Sequence, residues 1–179
     1  MEFLNAIKER IPDYAKDVRL NLDGAIARSS LEPADAVGAA LAAAYAARSK
    51  PLVGAIRSSG QLSDVDVNAA LTAAALMGMN NLWYPYVEMA GDEELKTQRA
   101  ELRMNAYATH GGVDRRRFEL FALAASIVGK CHFCVASHYK LLKESGMSVV
   151  QLRDIGRIAA VIGAAANVLA VEPETETVQ

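Results

Sequence analysis

The sequence predicts an all-α protein built from two related helical halves. Its apolar content is dominated by alanine rather than by valine and isoleucine. Capping residues, glycines and prolines recur at the spacing of helix starts and stops, and no convincing run of period-two alternation is present. Alanine has the highest intrinsic helix propensity, whereas strands draw on β-branched and aromatic residues. At 179 residues and 52% hydrophobic, the chain can bury a real core as one domain without help from metals or crosslinks.

Taken in order, Ile11-Pro12-Asp13 opens a second helix, with proline tolerated in the first turn, and the helix is expected to run to about Leu22, before Asp23-Gly24. Ser29 to Pro33 reads as a connector and Ala34 to Arg48 as an alanine-rich helix. Pro51 starts a shorter helix ending near Ser58-Ser59-Gly60. Ser63 and Asp66 have capping-box spacing, with aspartate in place of glutamate, ahead of a helix expected to stop at Gly78. A further helix covers about Asn80 to Met89, disturbed at Pro85. Asp114 caps the next, which runs to Val128 and stops at Gly129. Cys131 to Ser145 is helical up to Gly146, and Ser148 to Ala170 supplies one or two helices more. Residues 172–179 read as a frayed polar tail.

An internal repeat appears at an offset of 51. It matches Ser63 with Asp114, Val67 with Phe118, Ala73-Ala74 with Ala124-Ala125, Leu76 with Ile127, Gly78 with Gly129 and Leu82 with Phe133. Chance similarity between two alanine-rich helical hairpins is the competing account. Where the copies differ, Glu119, Cys131, Cys134 and His138 stand opposite Asn68, Asn80, Trp83 and Val87. The single domain, 1–179, thus divides into a scaffold half over about 1–105 and a chemistry-bearing half over about 106–171.

Charge excludes some classes of function. With 19 basic and 21 acidic residues the net charge is -2, and the longest basic run is Arg115-Arg116-Arg117. That triplet reads as solvated surface, so no nucleic-acid partner is expected. Met1-Glu2-Phe3-Leu4-Asn5 lacks a basic region followed by an apolar stretch, so no signal peptide is expected. The apolar run from Ile158 to Val171 is shorter than the ~20 residues that span a bilayer, so no membrane partner is expected. The predicted location is the cytoplasm, where a permanent structural disulfide is rare. The two cysteines lie three positions apart, and a crosslink that short does little to staple a fold.

Their neighbourhood, Lys130-Cys131-His132-Phe133-Cys134-Val135-Ala136-Ser137-His138, is the most informative segment of the chain. On a helix, i, i+3 and i+7 share a face, so Cys131, Cys134 and His138 project together. Gly129 places Cys131 near a helix N-terminus, where free amide donors and the helix dipole stabilise a thiolate. His138 can accept a proton from Cys134 or pair with its thiolate. Two thiols so placed can also close a disulfide. Glu119, on the preceding helix, shares a small apolar face with Ala122, Leu123 and Ser126, and in a hairpin it could approach the sulfurs as a proton acceptor. An exposed first-turn glutamate, favoured by the dipole, is the equal alternative.

Other readings of the cysteines stay open. They could be small core residues, or ligands with His138 and Glu119 in a non-catalytic metal-binding helical module. A thioredoxin-like site would need βαβ units, which are absent from the pattern. Met77, Met79, Met89 and Trp83 read as core packing rather than a cofactor stripe, and His110, before Gly111-Gly112, as a loop histidine with no role.

The arrangement Glu119-x11-Cys131-x-x-Cys134-x-x-x-His138 resembles the signature of the AhpD-like alkylhydroperoxidases, within the carboxymuconolactone decarboxylase superfamily. Tyr14-Ala15-Lys16-Asp17-Val18-Arg19-Leu20-Asn21-Leu22, Met77-Gly78-Met79-Asn80-Asn81 and Leu102-Arg103-Met104-Asn105 are similar to the same family, so the resemblance covers nearly the whole chain. It implies an all-helical fold of two related halves, a homotrimer and a buried site that binds no cofactor and no metal. It implies that Cys131 and Cys134 cycle between dithiol and disulfide. Cys134 would be the attacking thiol that becomes a sulfenic acid, Cys131 would resolve it and donate a proton, and Glu119 and His138 would belong to the proton relay. The implied substrates are organic hydroperoxides. The implied partners are the peroxiredoxin AhpC and a lipoylated 2-oxo-acid dehydrogenase subunit, whose dihydrolipoamide is the reducing co-substrate. Decarboxylases of the superfamily lack the cysteine pair, which sets ring decarboxylation aside.

One departure matters. The family pattern often has histidine immediately before the second cysteine, where this chain has Phe133, with His132 one place earlier. One residue is a rotation of about 100 degrees on a helix, so His132, an accessory candidate, does not simply inherit that role. Direct peroxidase activity is expected to suffer from this before disulfide exchange does, because exchange needs only the two sulfurs and a base.

Overall fold

Ser63, Asp114 and Ser148 each begin a helix by accepting the main-chain N–H three residues on, at 3.1, 3.1 and 3.2 Å. Such caps satisfy amide donors that the first helical turn leaves without partners. In the computed structural model, which describes residues 1–172, the chain is all helix, with no strand among the described residues. The helices are α1 (Asn5–Glu9), α2 (Lys16–Ala27), α3 (Pro33–Ala46), α4 (Lys50–Arg57), α5 (Asp64–Ala90), α6 (Glu93–Thr97), α7 (Ala106–Thr109), α8 (Arg115–Gly129), α9 (His132–Glu144) and α10 (Val149–Val171).

The centre is α3, which is buried without interruption from Asp35 to Ala44. A helix buried all round needs small side chains on every face, and alanine supplies them. It packs on α5, α8 and α10, while α9 lies against α8 and α5. This places the second copy of the repeat directly on the first. Arg117 Nη1 donates to Asp66 Oδ1 at 2.9 Å, a contact between two positions that the repeat makes equivalent.

Several sequence expectations are corrected. The helix expected to end before Asp23-Gly24 continues to Ala27 as α2, after a 3₁₀ turn at Asp13–Ala15. The two helices expected either side of Gly78 are one, α5, which also passes through Pro85. Nothing lies within 4 Å of where a Gly78 side chain would begin, so the residue is an ordinary helix-interior glycine rather than a stop. In the second copy the break is real, but Gly129 is still helical and Lys130 takes the left-handed conformation, at φ 55°. Gly129 is required for a different reason: a β-carbon there would overlap the Asn81 side chain, which crosses from α5 to donate to the Ala125 carbonyl at 3.3 Å.

Of the arginine triplet, only Arg115 is the exposed residue expected; Arg116 and Arg117 are partly buried. Arg117 donates to Asp35 Oδ1 at 2.7 Å as well as to Asp66, and Arg116 reaches Asp35 Oδ2 at 3.3 Å. Burial raises the Asp66 carboxyl's affinity for its proton, but the Ser63 hydroxyl and Arg117 outweigh it and hold Asp66 below the usual carboxylate range. Nor are all the methionines core: Met77 is fully buried, but Met79 and Met89 are exposed and Trp83 is half-buried. With Leu82 and Tyr86, the exposed methionines form an apolar stripe along α5.

Helix α10 begins upstream of the apolar run noted in the sequence and reaches 23 residues, long and apolar enough to cross a membrane by those criteria alone. Its inner face is instead occupied by α2, α3 and α8. Near its start, buried Asp154 accepts from the Ser30 amide and hydroxyl at 2.7 and 2.9 Å and from Arg153 and Arg157. The tail expected over 172–179 falls outside the described residues beyond Glu172, which accepts a hydrogen bond from Tyr14 at 2.6 Å.

Candidate active site

The left-handed turn at Lys130 directs the chain out of α8 and back along it as α9, which makes Cys131 the N-cap of α9. Its sulfur accepts the main-chain N–H of Cys134 at 3.2 Å. Sulfur thus occupies the place where a helix stabilises negative charge. Cys131 and Cys134 are joined as a disulfide, with 5.3 Å between their α-carbons. Both are buried, at 0% and 3% exposure.

Glu119 and His138 are also buried, each at 4% exposure. Glu119 is therefore not the exposed first-turn glutamate that the sequence equally allowed. Its Oε2 lies 2.5 Å from His138 Nδ1, across the α8–α9 hairpin. The other imidazole nitrogen, Nε2, lies 3.2 Å from the Met77 sulfur on α5. Neither ring nitrogen is hydrogen-bonded to the Cys134 sulfur among the described residues. In this disulfide form the imidazole is held by the Glu119 carboxylate.

A cavity of about 450 Å³ brings Cys134, Glu119 and His138 to one wall. Cys131 is sealed behind it, with its sulfur 4.0 Å from the Asn80 carbonyl oxygen. His132 is exposed and outside the cavity, whereas Phe133 borders it, stacked on Tyr84 with ring centroids 4.3 Å apart. Among the described residues no cluster of three or more His, Cys, Asp and Glu is arranged to hold a metal ion, and the two sulfurs are bonded to each other.

The nearly full-length relatives decide the family. Alkyl hydroperoxide reductase AhpD of Rhodospirillum centenum is 44% identical over 171 residues, covering 94% of this chain and 91% of the relative. The chain belongs to the AhpD family. The AhpD of a Bradyrhizobium species is 41% identical over 98% of this chain and 96% of its own length, and that of Coxiella burnetii is 36% identical over 96% and 99%. Residues 93–176 also match the model of the carboxymuconolactone decarboxylase family, a span that holds all four residues of the AhpD-like pattern.

The AhpD cavity also holds residues that sequence reasoning missed. His110, read as a loop histidine without a role, lines the cavity from a left-handed backbone position at φ 51°, with its ring 5.6 Å from that of Phe118. Arg115 stands at the cavity, two-thirds exposed, with its Nε 3.8 Å from Glu119. Asn80 and Tyr107 line it too, joined by a 3.1 Å hydrogen bond from the Asn80 amide to the phenol oxygen. Asn80 carried one signal, as a polar residue in an apolar helix within a family-like stretch. Tyr107 and His110 carried none, because the turn that presents them is set by tertiary packing.

Proposed function

We propose that this AhpD family member is a thiol-dependent alkyl hydroperoxide reductase. The observation that carries the reading is a buried Cys131–Cys134 pair that shares a cavity wall, through Cys134, with a carboxylate–imidazole pair. The name shared by the relatives supports it. In the reduced protein, Glu119 and His138 take the proton of Cys134. The thiolate attacks the terminal oxygen of the hydroperoxide: the S–O bond forms, the O–O bond breaks, and the alkoxide leaves and is protonated to the alcohol. Cys131 then attacks the sulfenic sulfur. The S–S bond forms, and hydroxide leaves and takes a proton to become water.

Dihydrolipoamide, carried by a lipoylated 2-oxo-acid dehydrogenase subunit, restores the dithiol. One of its thiolates attacks Cys134 and releases Cys131; its second thiol closes the lipoyl disulfide and releases Cys134. The reduced pair also passes electrons to the peroxiredoxin AhpC. We place the enzyme in the cytoplasm as a homotrimer. The exposed stripe of Leu82, Tyr86 and Met89 supports a subunit contact on α5. Light scattering of the purified protein checks the oligomer, and a monomer would exclude it.

Steady-state turnover with dihydrolipoamide and cumene hydroperoxide tests the peroxidase reading. Consumption of peroxide that disappears in Cys134→Ser is expected. No turnover above background, or undiminished turnover in that variant, excludes direct peroxide reduction. A disulfide relay with negligible peroxidase activity is the second reading, favoured by Phe133 before Cys134 and by the exposure of His132. For this, Cys131→Ser protein should trap a mixed disulfide with AhpC under mild oxidation, and failure to trap one counts against it.

A further inference from the structure

Peroxide reduction makes a demand that the cysteines, Glu119 and His138 do not meet. The oxygen that departs bears an alkyl group and leaves as a strongly basic alkoxide, beside the buried side chains of Asn80, Glu119, Cys134 and His138. Donors fixed beforehand at the point where charge develops are among the most effective devices in catalysis. Glu119 and His138 are engaged with each other, and the far side of His138 faces a thioether.

Asn80 and Tyr107 present an unused pair. Asn80 is 2% exposed, and its Oδ1 has no hydrogen-bond partner among the described residues. A buried carbonyl left without a donor is costly, so an orphan beside a cavity points to a ligand that supplies one. The Tyr107 oxygen accepts from the Asn80 amide, and its own O–H donates to nothing among the described residues. Burial, reinforced by the charge of Glu119 and by Tyr84, pushes the Tyr107 phenol up to about 12, so it keeps its proton at working pH. Two linked side chains that line the cavity thus carry one O–H donor and one carbonyl acceptor without partners among the described residues. A hydroperoxide is the complement, with an acceptor at its alkyl-bearing oxygen and a donor at its terminal O–H.

We propose that Asn80 and Tyr107 orient the hydroperoxide, Asn80 Oδ1 accepting from the terminal O–H while the Tyr107 phenol donates to the alkyl-bearing oxygen and stabilises it as it leaves. The terminal oxygen keeps its hydrogen as it passes to Cys134, so the Asn80 bond persists into the sulfenic acid. The departing alkoxide takes a proton through the phenol, and the proton that Cys134 gave to the Glu119–His138 pair replaces it. The inference rests on the peroxidase reading above.

The test is single-turnover oxidation of pre-reduced protein by two oxidants that differ in leaving group. tert-Butyl hydroperoxide expels a strongly basic alkoxide; peracetic acid expels a carboxylate that needs no donor. In Tyr107→Phe, which keeps the ring packed on Phe118, the ratio of the alkyl hydroperoxide rate to the peracid rate should fall about tenfold, the scale of one good hydrogen bond. An unchanged ratio overturns the role of Tyr107. If Asn80→Leu raises the KM for dihydrolipoamide and leaves the single-turnover rate with tert-butyl hydroperoxide as it was, Asn80 serves the amide of the lipoyl arm and its part in the proposal fails. Wild-type protein inert to both oxidants overturns the peroxidase reading itself, a result distinct from either variant outcome.

Discussion

His138 Nδ1 and Glu119 Oε2 lie 2.5 Å apart, and this contact ties the helix that carries Cys134 to the helix before it. Both side chains are buried, so each is the other's main compensation for leaving water. Glu119→Gln preserves shape and a hydrogen bond but removes the charge and the capacity to take a proton. Thiol oxidation by hydroperoxide should slow by about 10²–10³-fold, the usual weight of a general base. His138→Leu should instead destabilise the fold by about 3 kcal/mol, because it leaves a buried carboxylate without its imidazole. Stopped-flow oxidation and urea denaturation separate the two effects.

The end of α8 gives neighbouring substitutions of opposite sign. Gly129→Ala pushes into the Asn81 side chain and should cost about 1–3 kcal/mol, despite alanine's better helix propensity. Lys130→Gly relieves a left-handed residue and should stabilise by about 1 kcal/mol. Thermal melts of the two single variants check both signs.

Arg117 bridges Asp35 on α3 and Asp66 on α5 from its place on α8. Its replacement by methionine should cost about 2–3 kcal/mol, since it leaves buried Asp35 with only the longer Arg116 contact and Asp66 with only Ser63. Equilibrium unfolding in urea measures the loss, and an effect under about 1 kcal/mol would put the network among ordinary surface ion pairs.

Asp154 gives a dependence on acid. Burial favours its neutral form, but the Ser30 amide and hydroxyl and the two arginines outweigh that and hold its carboxyl far below the usual range. A carboxyl depressed in the folded state contributes stability that is present above its unfolded value of about 3.9 and is lost as pH falls toward the folded value. Asp154→Asn should therefore be about 2 kcal/mol less stable than wild type at pH 7, with the gap closing below about pH 4. Melts recorded from pH 7 to pH 3 test the convergence.

Alkaline titration of the wild type against Tyr107→Phe reports on the Tyr107 phenol. Of the six tyrosines in the chain, Tyr107 has its ionisation pushed up to about 12. The ultraviolet tyrosinate signal should carry a late step that is missing from Tyr107→Phe.

What the sequence made legible was local chemistry. Ser63, Asp114 and Ser148 mark helix starts because a cap acts within one turn. The spacing of Cys131, Cys134 and His138 put them on one side of a helix, and the hairpin brought Glu119 to the imidazole. Gly24 and Gly78 misled because glycine permits a stop without compelling one, and the actual stop sits at Lys130, whose side chain gives no sign of a left-handed backbone. The pairing of Arg117 with Asp35 was hidden by the length of chain between them. Tyr107 and His110 reach the cavity from a short turn whose position only the packed helices determine.

The Cys131–Cys134 bridge is one-sided. One sulfur is walled in by α5, while the other faces the cavity, so an incoming nucleophile meets only Cys134. Attack on the bridge from the cavity therefore frees the buried sulfur first and leaves the mixed disulfide on the reachable one.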